Sequence, residues 1–330
     1  MTLGKFAPLH KGHQYILELA LEEMDEVVVL IYDTDVIDIP LTVRAGWIKQ
    51  MYPQIEVIEC WDGPKGYSNE REKEIEEEKY IIEMLNGKRI THFYSSEDYG
   101  GHVSRALNAI DRRVDNKREK VHISGTMIRE NPYKYREYLE SIVYSDMITR
   151  VVFVGAMSTG KSTLTEYLAK KYNTVFASEY GRDYWTEHQV DRRITFEAFD
   201  EITKGHIERE DKLLKDTNKY MFCDTNAITT YMYALDYHGR APEYLERVAL
   251  ENSHRYDIFF LCDDDIPYDD TWDRSGDQKR KIFHKQIIAD LKMRRIPYII
   301  LRGSVEQRAE KVESILKRFR KFSNFFGAEI

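Results

Sequence analysis

Two histidines three residues apart, His10 and His13, stand in the stretch GKFAPLHKGHQ, Gly4 to Gln14. The pair admits three uses: metal ligation, a catalytic couple, or part of a phosphate cradle. Zinc fits poorly, because a helical zinc pair takes an i, i+4 spacing with a third ligand nearby. A satisfied structural pair is the plain alternative. An anion site fits best. Gly4 permits close backbone approach, Pro8 stiffens the turn, and Gly12 starts a helix whose positive end His13 faces. Imidazole N–H groups there can hold a phosphorus centre during displacement without a covalent intermediate. Far along the chain, ISGTMIR, Ile123 to Arg129, has the same form. Ser124 ends an extended run, Thr126 caps a helix, and Arg129 lies on its first turn. Both segments set helix N-termini at strand carboxyl ends, so both can clamp one triphosphate.

A second constellation is GAMSTGKST, Gly155 to Thr163, which fits G-x-x-x-x-G-K-[ST] between an apolar strand and a helix. Gly155 and Gly160 let the backbone curl so that amide groups across Ser158, Thr159 and Thr163 point at phosphate oxygens. Lys161 supplies a point charge to the β- and γ-phosphates, and Ser162 a hydroxyl to Mg²⁺. Two acids, Glu179 and Asp224, fall at expected strand ends. One should meet Mg²⁺ or its water, and the other take a proton from an attacking hydroxyl. Asp224 is favoured for the metal, with the division left open; either acid could instead be a plain helix cap. The polar stretch Asp263 to Lys281, with Arg274, reads as a lid that closes cations over the transferring group, or as an ordinary solvated loop. Tyr180, Trp185, Tyr268 and Trp272 are candidates to stack on a flat ring, although each alone more often packs.

Holding such residues takes an α/β frame. Short β-branched runs alternate with amphipathic stretches throughout, the pattern of parallel strands with crossover helices. Strands are expected at Thr2–Phe6, Glu26–Tyr32, Glu56–Trp61, Thr91–Ser95 and Lys120–Ser124. Helices are expected at Gly12–Met24, Thr42–Tyr52, Ser68–Leu85, His102–Ile110 and Thr126–Leu139. The pattern restarts near Arg150, after a close join at Ser141–Ile148. Strands follow at Arg150–Gly155, Thr174–Ser178, Tyr220–Cys223, Asp257–Cys262 and Tyr298–Leu301, with Ser304–Phe322 as a last helix. Two doubly wound parallel-sheet domains are therefore expected, residues 1–147 and 148–330.

Composition sets the outer limits. The 330 residues are 42% hydrophobic and 32% charged, an ordinary globular balance. A formal charge of −8 gives no global field for nucleic acid, so any anion site must be local. Cys60, Cys223 and Cys262 sit in apolar runs and read as buried thiols rather than a zinc or disulfide set. No apolar run approaches the roughly 20 residues of a membrane span. With no secretory signal read at the start, a cytoplasmic protein is expected.

The first half resembles the HxGH nucleotidyltransferase family, whose marks GxFxPxHxGH and ISxTxxR are both present. With the P-loop half behind it, the chain resembles the bifunctional NadR type, nicotinamide-mononucleotide (NMN) adenylyltransferase followed by ribosylnicotinamide kinase. The resemblance covers essentially all 330 residues. It implies a Rossmann-like nucleotidyltransferase followed by a P-loop NTPase-type kinase. It further implies that His10, His13, Ser124, Thr126 and Arg129 hold the ATP phosphates, with Gly4, Lys5, Phe6 and Lys11 beside them. SSEDYGGHV, Ser95 to Val103, is similar to a family segment on the pyridine-nucleotide side, which singles out Tyr99. Arg44 on the second helix is a candidate substrate ligand. ATP with Mg²⁺, nicotinamide riboside, NMN and NAD are the implied small molecules. No nucleic acid and no membrane are implied, and a homo-oligomer is left open. NadR of enteric bacteria carries an amino-terminal helix-turn-helix repressor, and the sequence leaves no room for one before Gly4, so DNA regulation is not expected. Two rival readings remain: the same chemistries on another vitamin-derived precursor, or a nucleotide-sensing regulator with weakened catalysis.

Overall fold

The computed structural model describes residues 1–64, 71–97, 99–191, 193–268 and 277–322. Met1–Asp146 and Met147–Lys321 form two compact units, each with its own apolar core.

The first unit alternates strand and helix in chain order: β1 (Thr2–Gly4), α1 (Lys11–Glu23), β2 (Val28–Tyr32), α2 (Leu41–Met51), β3 (Glu56–Cys60), α3 (Arg71–Leu85), β4 (His92–Ser95), α4 (Gly100–Ala106), β5 (Ile110–Arg113), α5 (Gly125–Glu130) and α6 (Ser141–Met147). β1, β2 and β3 pair in parallel, as do β4 and β5. Tyr94 N donates to Met1 O at 2.8 Å, which lays β4 beside β1. The strands form a three-stranded ladder, β1-β2-β3, and a two-stranded one, β4-β5, which Met1 bridges through Tyr94 N and His92 O, so that β4 follows β1 on the side away from β2. β2 is buried along its whole length, and VVLIY is the continuous apolar run that such a strand requires.

Two local expectations are corrected. Lys120–Ser124 is not a strand; Asp115 takes its amides, accepting from Lys120 N at 3.1 Å and Val121 N at 3.0 Å. The fifth strand is IDRR, Ile110–Arg113, which lies at a sheet edge with two exposed residues and so shows no apolar alternation. The helix expected over Thr126–Leu139 ends at Glu130, because Pro132 follows.

The second unit runs β6 (Thr149–Val154), α7 (Lys161–Lys171), β7 (Phe176–Ala177), α8 (Tyr180–His188), α9 (Ala198–Leu213), β8 (Tyr220–Asp224), α10 (Ala227–His238), α11 (Glu243–Glu251), β9 (Ile258–Cys262), α12 (Asp277–Met293), β10 (Ile299–Leu301) and α13 (Val305–Leu316). Its sheet has the order β10-β9-β6-β8-β7, parallel throughout. Phe153 of β6 packs between Phe222 of β8 and Phe260 of β9, with ring centroids 6.2 and 5.7 Å away. β6 is central and its neighbours follow far later in the chain, so the crevice at its carboxyl end is a topological switch point. α8 was not foreseen: YGRDYWTEH has no buried residue and reads as a polar connection. The doubly wound α/β class itself is as expected. All three cysteines are buried and free. Among the described residues, no helix is long and apolar enough to cross a membrane.

Candidate active sites

β6 delivers the chain to Gly155, whose φ of 142° disfavours any side chain. A Cβ there would stand 2.6 Å from the Cys262 carbonyl oxygen at the end of β9. Glycine is what lets the loop turn so close to β9. The loop closes on Gly160, which precedes α7 in the left-handed conformation. Inside it, Thr159 Oγ1 and Lys161 Nζ both donate to Ala156 O, at 2.8 and 2.9 Å. Two buried arginines brace it from behind. Arg308 of α13 donates to Thr159 O at 2.6 Å, and Arg280 of α12 to Ser158 O at 3.3 Å. The cradle is therefore held by the fold and does not need a ligand to shape it.

Ser162, Asp224, Glu179 and Arg182 meet at one corner of this loop. Ser162 Oγ donates to Asp224 Oδ2 at 2.5 Å. Arg182 Nη2 donates to Glu179 Oε2 at 2.8 Å and to Ser162 Oγ at 3.2 Å. Asp224 is 1% exposed, and its Oδ1 has no hydrogen-bond partner among the described residues. Burial, and then the charge of Asp224, push the Glu179 carboxyl above its ordinary range, against the pull of Lys161 and Arg182. Arg182 was missed in the sequence; its spacing of three from Glu179 carries meaning only once α8 is known to be a helix.

A pocket of about 330 Å³ opens beside Lys161, Glu179 and Arg182. Trp185 of α8, Phe199 of α9 and Tyr233 and Tyr237 of α10 give it aromatic walls. Asp236 at its rim pairs with Lys279 at 2.8 Å. His206 also lines it and stands 3.1 Å from Glu210, a fully buried carboxylate. Burial alone would raise Glu210, but His206, Arg255 and Tyr256 outweigh it and bring the carboxyl down to about 2.

In the first unit, His10 caps α1, its Nδ1 accepting from Gly12 N at 3.1 Å. A Cβ on Gly12 would come within 3.0 Å of that ring, so glycine lets the imidazole lie across the helix end. His13 stacks on His10 with ring centroids 3.7 Å apart, and Phe6 lies 4.9 Å from His13. Burial, then Arg118, hold His10 down at about 4. Burial, then His10 and Arg118, depress His13 as well. Near neutral pH both rings are uncharged, so they offer hydrogen bonds and no net charge.

The second segment is fastened to the first. Ser124 caps α5, accepting from Met127 N at 3.2 Å. Arg129 donates to Ala7 O at 2.6 Å and to Thr126 Oγ1 at 2.9 Å. A Cβ on Gly125 would press on Ala7 O at 3.2 Å, so glycine permits the approach. Together the segments wall a cavity of about 250 Å³ onto which Gly4, Lys5, Phe6, His13, Ser124, Thr126 and Arg129 all open. Tyr99 lines it too, its hydroxyl donating to Leu3 O at 3.2 Å. Arg118, not singled out in the sequence, lines the same wall. His10 sits behind His13 and does not line the cavity.

Other candidates go elsewhere. Lys11 is exposed and outside the lining, and Thr163 is exposed on the first turn of α7. Arg44 is fully buried and holds the carbonyls of Lys5, Tyr32 and Ile39 together, so it positions the strand ends and does not reach the cavity. Tyr180 lies against Gly205 of α9 with Arg209 over its ring at 4.7 Å, away from the pocket lining. Tyr268 sits under the Arg280 guanidinium at 5.2 Å and is also outside that lining. Trp272 and Arg274 lie outside the described residues.

Fold and cradle define a two-unit α/β protein of the nucleotide-binding class, with a P-loop in the second unit. A family model for the AAA domain matches residues 150–308. NadR of Salmonella typhimurium, a trifunctional NAD biosynthesis/regulator protein, is 29% identical over 320 residues, 91% of this chain and 77% of that one. NadR of Escherichia coli is 29% identical over 327 residues, with the same coverage of 91% and 77%. A NadR protein crystallised with NAD and AMP-PNP shares the fold with a TM-score of 0.55 and 21% identity, over 96% of this chain and 94% of that one. A NadR protein in complex with NR matches with the same score, identity and coverage. The similarity to NadR covers 91% of the chain.

Proposed function

We propose that the chain is a two-step enzyme of NAD biosynthesis. The second unit phosphorylates the 5′-hydroxyl of nicotinamide riboside with ATP. The first then adenylates the resulting mononucleotide, giving NAD and pyrophosphate. The observation that carries the reading is that Lys161, Glu179 and Arg182 line an aromatic-walled pocket, with Arg182 joining Glu179 to the Ser162–Asp224 pair. The NadR relatives, named for NAD biosynthesis, support the substrate.

Each residue has a physical task. Lys161 and the loop amides neutralise the β- and γ-phosphates. Ser162 and Asp224 suit a bound Mg²⁺, since the unpartnered Asp224 Oδ1 is a hard oxygen ligand beside the serine hydroxyl. When bound, Mg²⁺ offsets phosphate charge. Glu179 accepts the proton of the attacking hydroxyl, its raised carboxyl being a better base than an ordinary glutamate. Arg182, shared between Glu179 and Ser162, is placed to meet the charge that develops on the transferring group. In the first unit, neutral His13, which lines the cavity, and the α1 and Ser124 turns donate to the ATP phosphates, with His10 stacked behind His13 as the cap of α1.

Purified protein incubated with nicotinamide riboside, ATP and Mg²⁺ should yield NMN first and NAD after it. If neither product forms, the substrate assignment is wrong. If ATP binds without turnover, the chain is a nucleotide sensor.

A further inference from the structure

We propose that Arg118 supplies the positive charge the reacting phosphate meets in the first unit, and that Glu97 holds this guanidinium in reserve until nucleotide arrives. The proposal rests on the adenylyl-transfer reading above. In that reaction an oxygen of the mononucleotide phosphate bonds to the α-phosphorus of ATP. The bond from that phosphorus to the bridging oxygen breaks, and its electron pair leaves with pyrophosphate. Negative charge grows on the α-phosphate and on the leaving group, and a cation within contact distance is the strongest way to stabilise it.

The groups expected to meet the phosphates supply that charge only in part. His10 and His13 are held neutral, the first at about 4. Arg129 is charged and lines the cavity, but Ala7 O and Thr126 Oγ1 take two of its five N–H groups and fix it as the fastener between the two segments. Lys11 is outside the cavity lining. Lys5 does line it, and so does Arg118, which stands on the wall with Ser124, Thr126 and Arg129. A guanidinium presents a planar fork of donors that matches two phosphate oxygens, which an ammonium cannot do. Arg118 is also near enough for its charge to depress both imidazoles.

The base of the side chain is fixed while its tip is loosely held. Arg118 has a left-handed φ of 52°, and its amide donates to Asp115 O at 2.7 Å. The Asp115 carboxylate in turn holds the amides of Lys120 and Val121, which ties the turn to the segment leading into Ser124. At the tip, Nη2 lies 3.6 Å from Glu97 Oε1, longer than a hydrogen bond, and both side chains are about half exposed. An exposed ion pair of that length is weak, enough to keep the guanidinium beside the cavity and weak enough to give it up to a phosphate. Glu97 lines the same cavity, so an incoming phosphate competes with it directly for the guanidinium.

The test measures NAD formation from NMN and ATP, bypassing the kinase step, for the wild type, R118A, R118K and E97Q. R118A should lose about 100-fold or more in kcat/KM, the scale of removing one strong oxyanion donor. R118K should recover only part of this, since lysine restores the charge and not the fork. E97Q should lower the KM for ATP severalfold, an effect that a merely structural role for the pair would not produce. Kinase rates with nicotinamide riboside and unchanged thermal melts confirm that the variants fold. R118A within about threefold of wild type, or E97Q raising the KM for ATP, overturns the proposal. A wild type that makes no NAD from NMN overturns the underlying reading instead, so the two failures are distinct.

Discussion

Replacing His10 by asparagine separates the residue's capping task from its titration. His10 caps α1 through Nδ1, and an asparagine oxygen can accept from Gly12 N in the same way. What the change removes is an imidazole held at about 4, against 6.5 when free. Between those two values the unfolded chain binds a proton that the folded chain refuses, so stability rises with pH across this window. It falls as the solution is acidified from 6.5 toward 4. At pH 5 the unfolded imidazole is nearly all protonated and the buried one nearly all neutral. The loss relative to pH 8 is therefore about 2 kcal/mol, or about 30-fold in the opening equilibrium. His13 is depressed in the same direction and stays in both proteins, so it cancels to first order. Hydrogen exchange of the amides of β2, buried along its length, reports the opening of this unit. Comparing the two proteins at each pH removes the intrinsic exchange rate. Protection in the wild type should drop about 30-fold more than in H10N between pH 8 and pH 5. Equal drops, within about threefold, would refute the claim that burial holds the ring neutral.

Other substitutions address the two sites and their supports. Lys161→Ala should abolish NMN formation from nicotinamide riboside and leave NAD formation from NMN intact; His13→Ala should do the reverse, with product chromatography reading both. One change that stops both reactions would argue for a single composite site. Gly155→Ala forces a side chain onto a φ of 142° and against Cys262 O at 2.6 Å, so it should cost at least about 1–3 kcal/mol and kinase activity. Gly46→Ala in α2 has open space around its Cβ and should stabilise by about 0.5–1 kcal/mol, so urea midpoints for the pair should move in opposite directions. Glu210→Gln removes the charge facing Arg255 in a buried network; a loss approaching about 3 kcal/mol is expected in urea unfolding, and an unchanged midpoint would show the network to be decorative.

The elements that were legible in the sequence are those whose burial imposes a composition. β2 and β9 are buried throughout, and β6 from Val151 on, and all three read as apolar runs. The phosphate loop was legible for a related reason, since its glycines answer to backbone geometry that few other residues accept. What escaped was held by less visible forces. β5 lies at an edge and can be Asp and Arg, and α8 keeps every side chain at least partly in contact with solvent. With α8 unseen, Arg182 could not be placed beside Glu179. Arg118 stood in a polar loop and gave no periodic signal. Arg44 looked like a ligand because charged residues are seldom buried, yet it is occupied by three backbone carbonyls and faces the Asp33 carboxylate at 3.6 Å. The difference between a ligand-binding and a carbonyl-clamping arginine depends on neighbours far away in the chain.

The link from Arg129 to Ala7 spans 122 positions, and the Gly155 turn lies against Cys262, more than a hundred residues later. During synthesis, each candidate site would therefore be incomplete for most of the time its own unit is emerging from the ribosome. Its motif would already be outside, but without the wall it leans on. Loop closure over such distances comes late in folding. ATP thus cannot act as an early template for either unit. Resistance to protease conferred by nucleotide should appear in nascent chains only after α5 emerges for the first unit, and after β9 for the second.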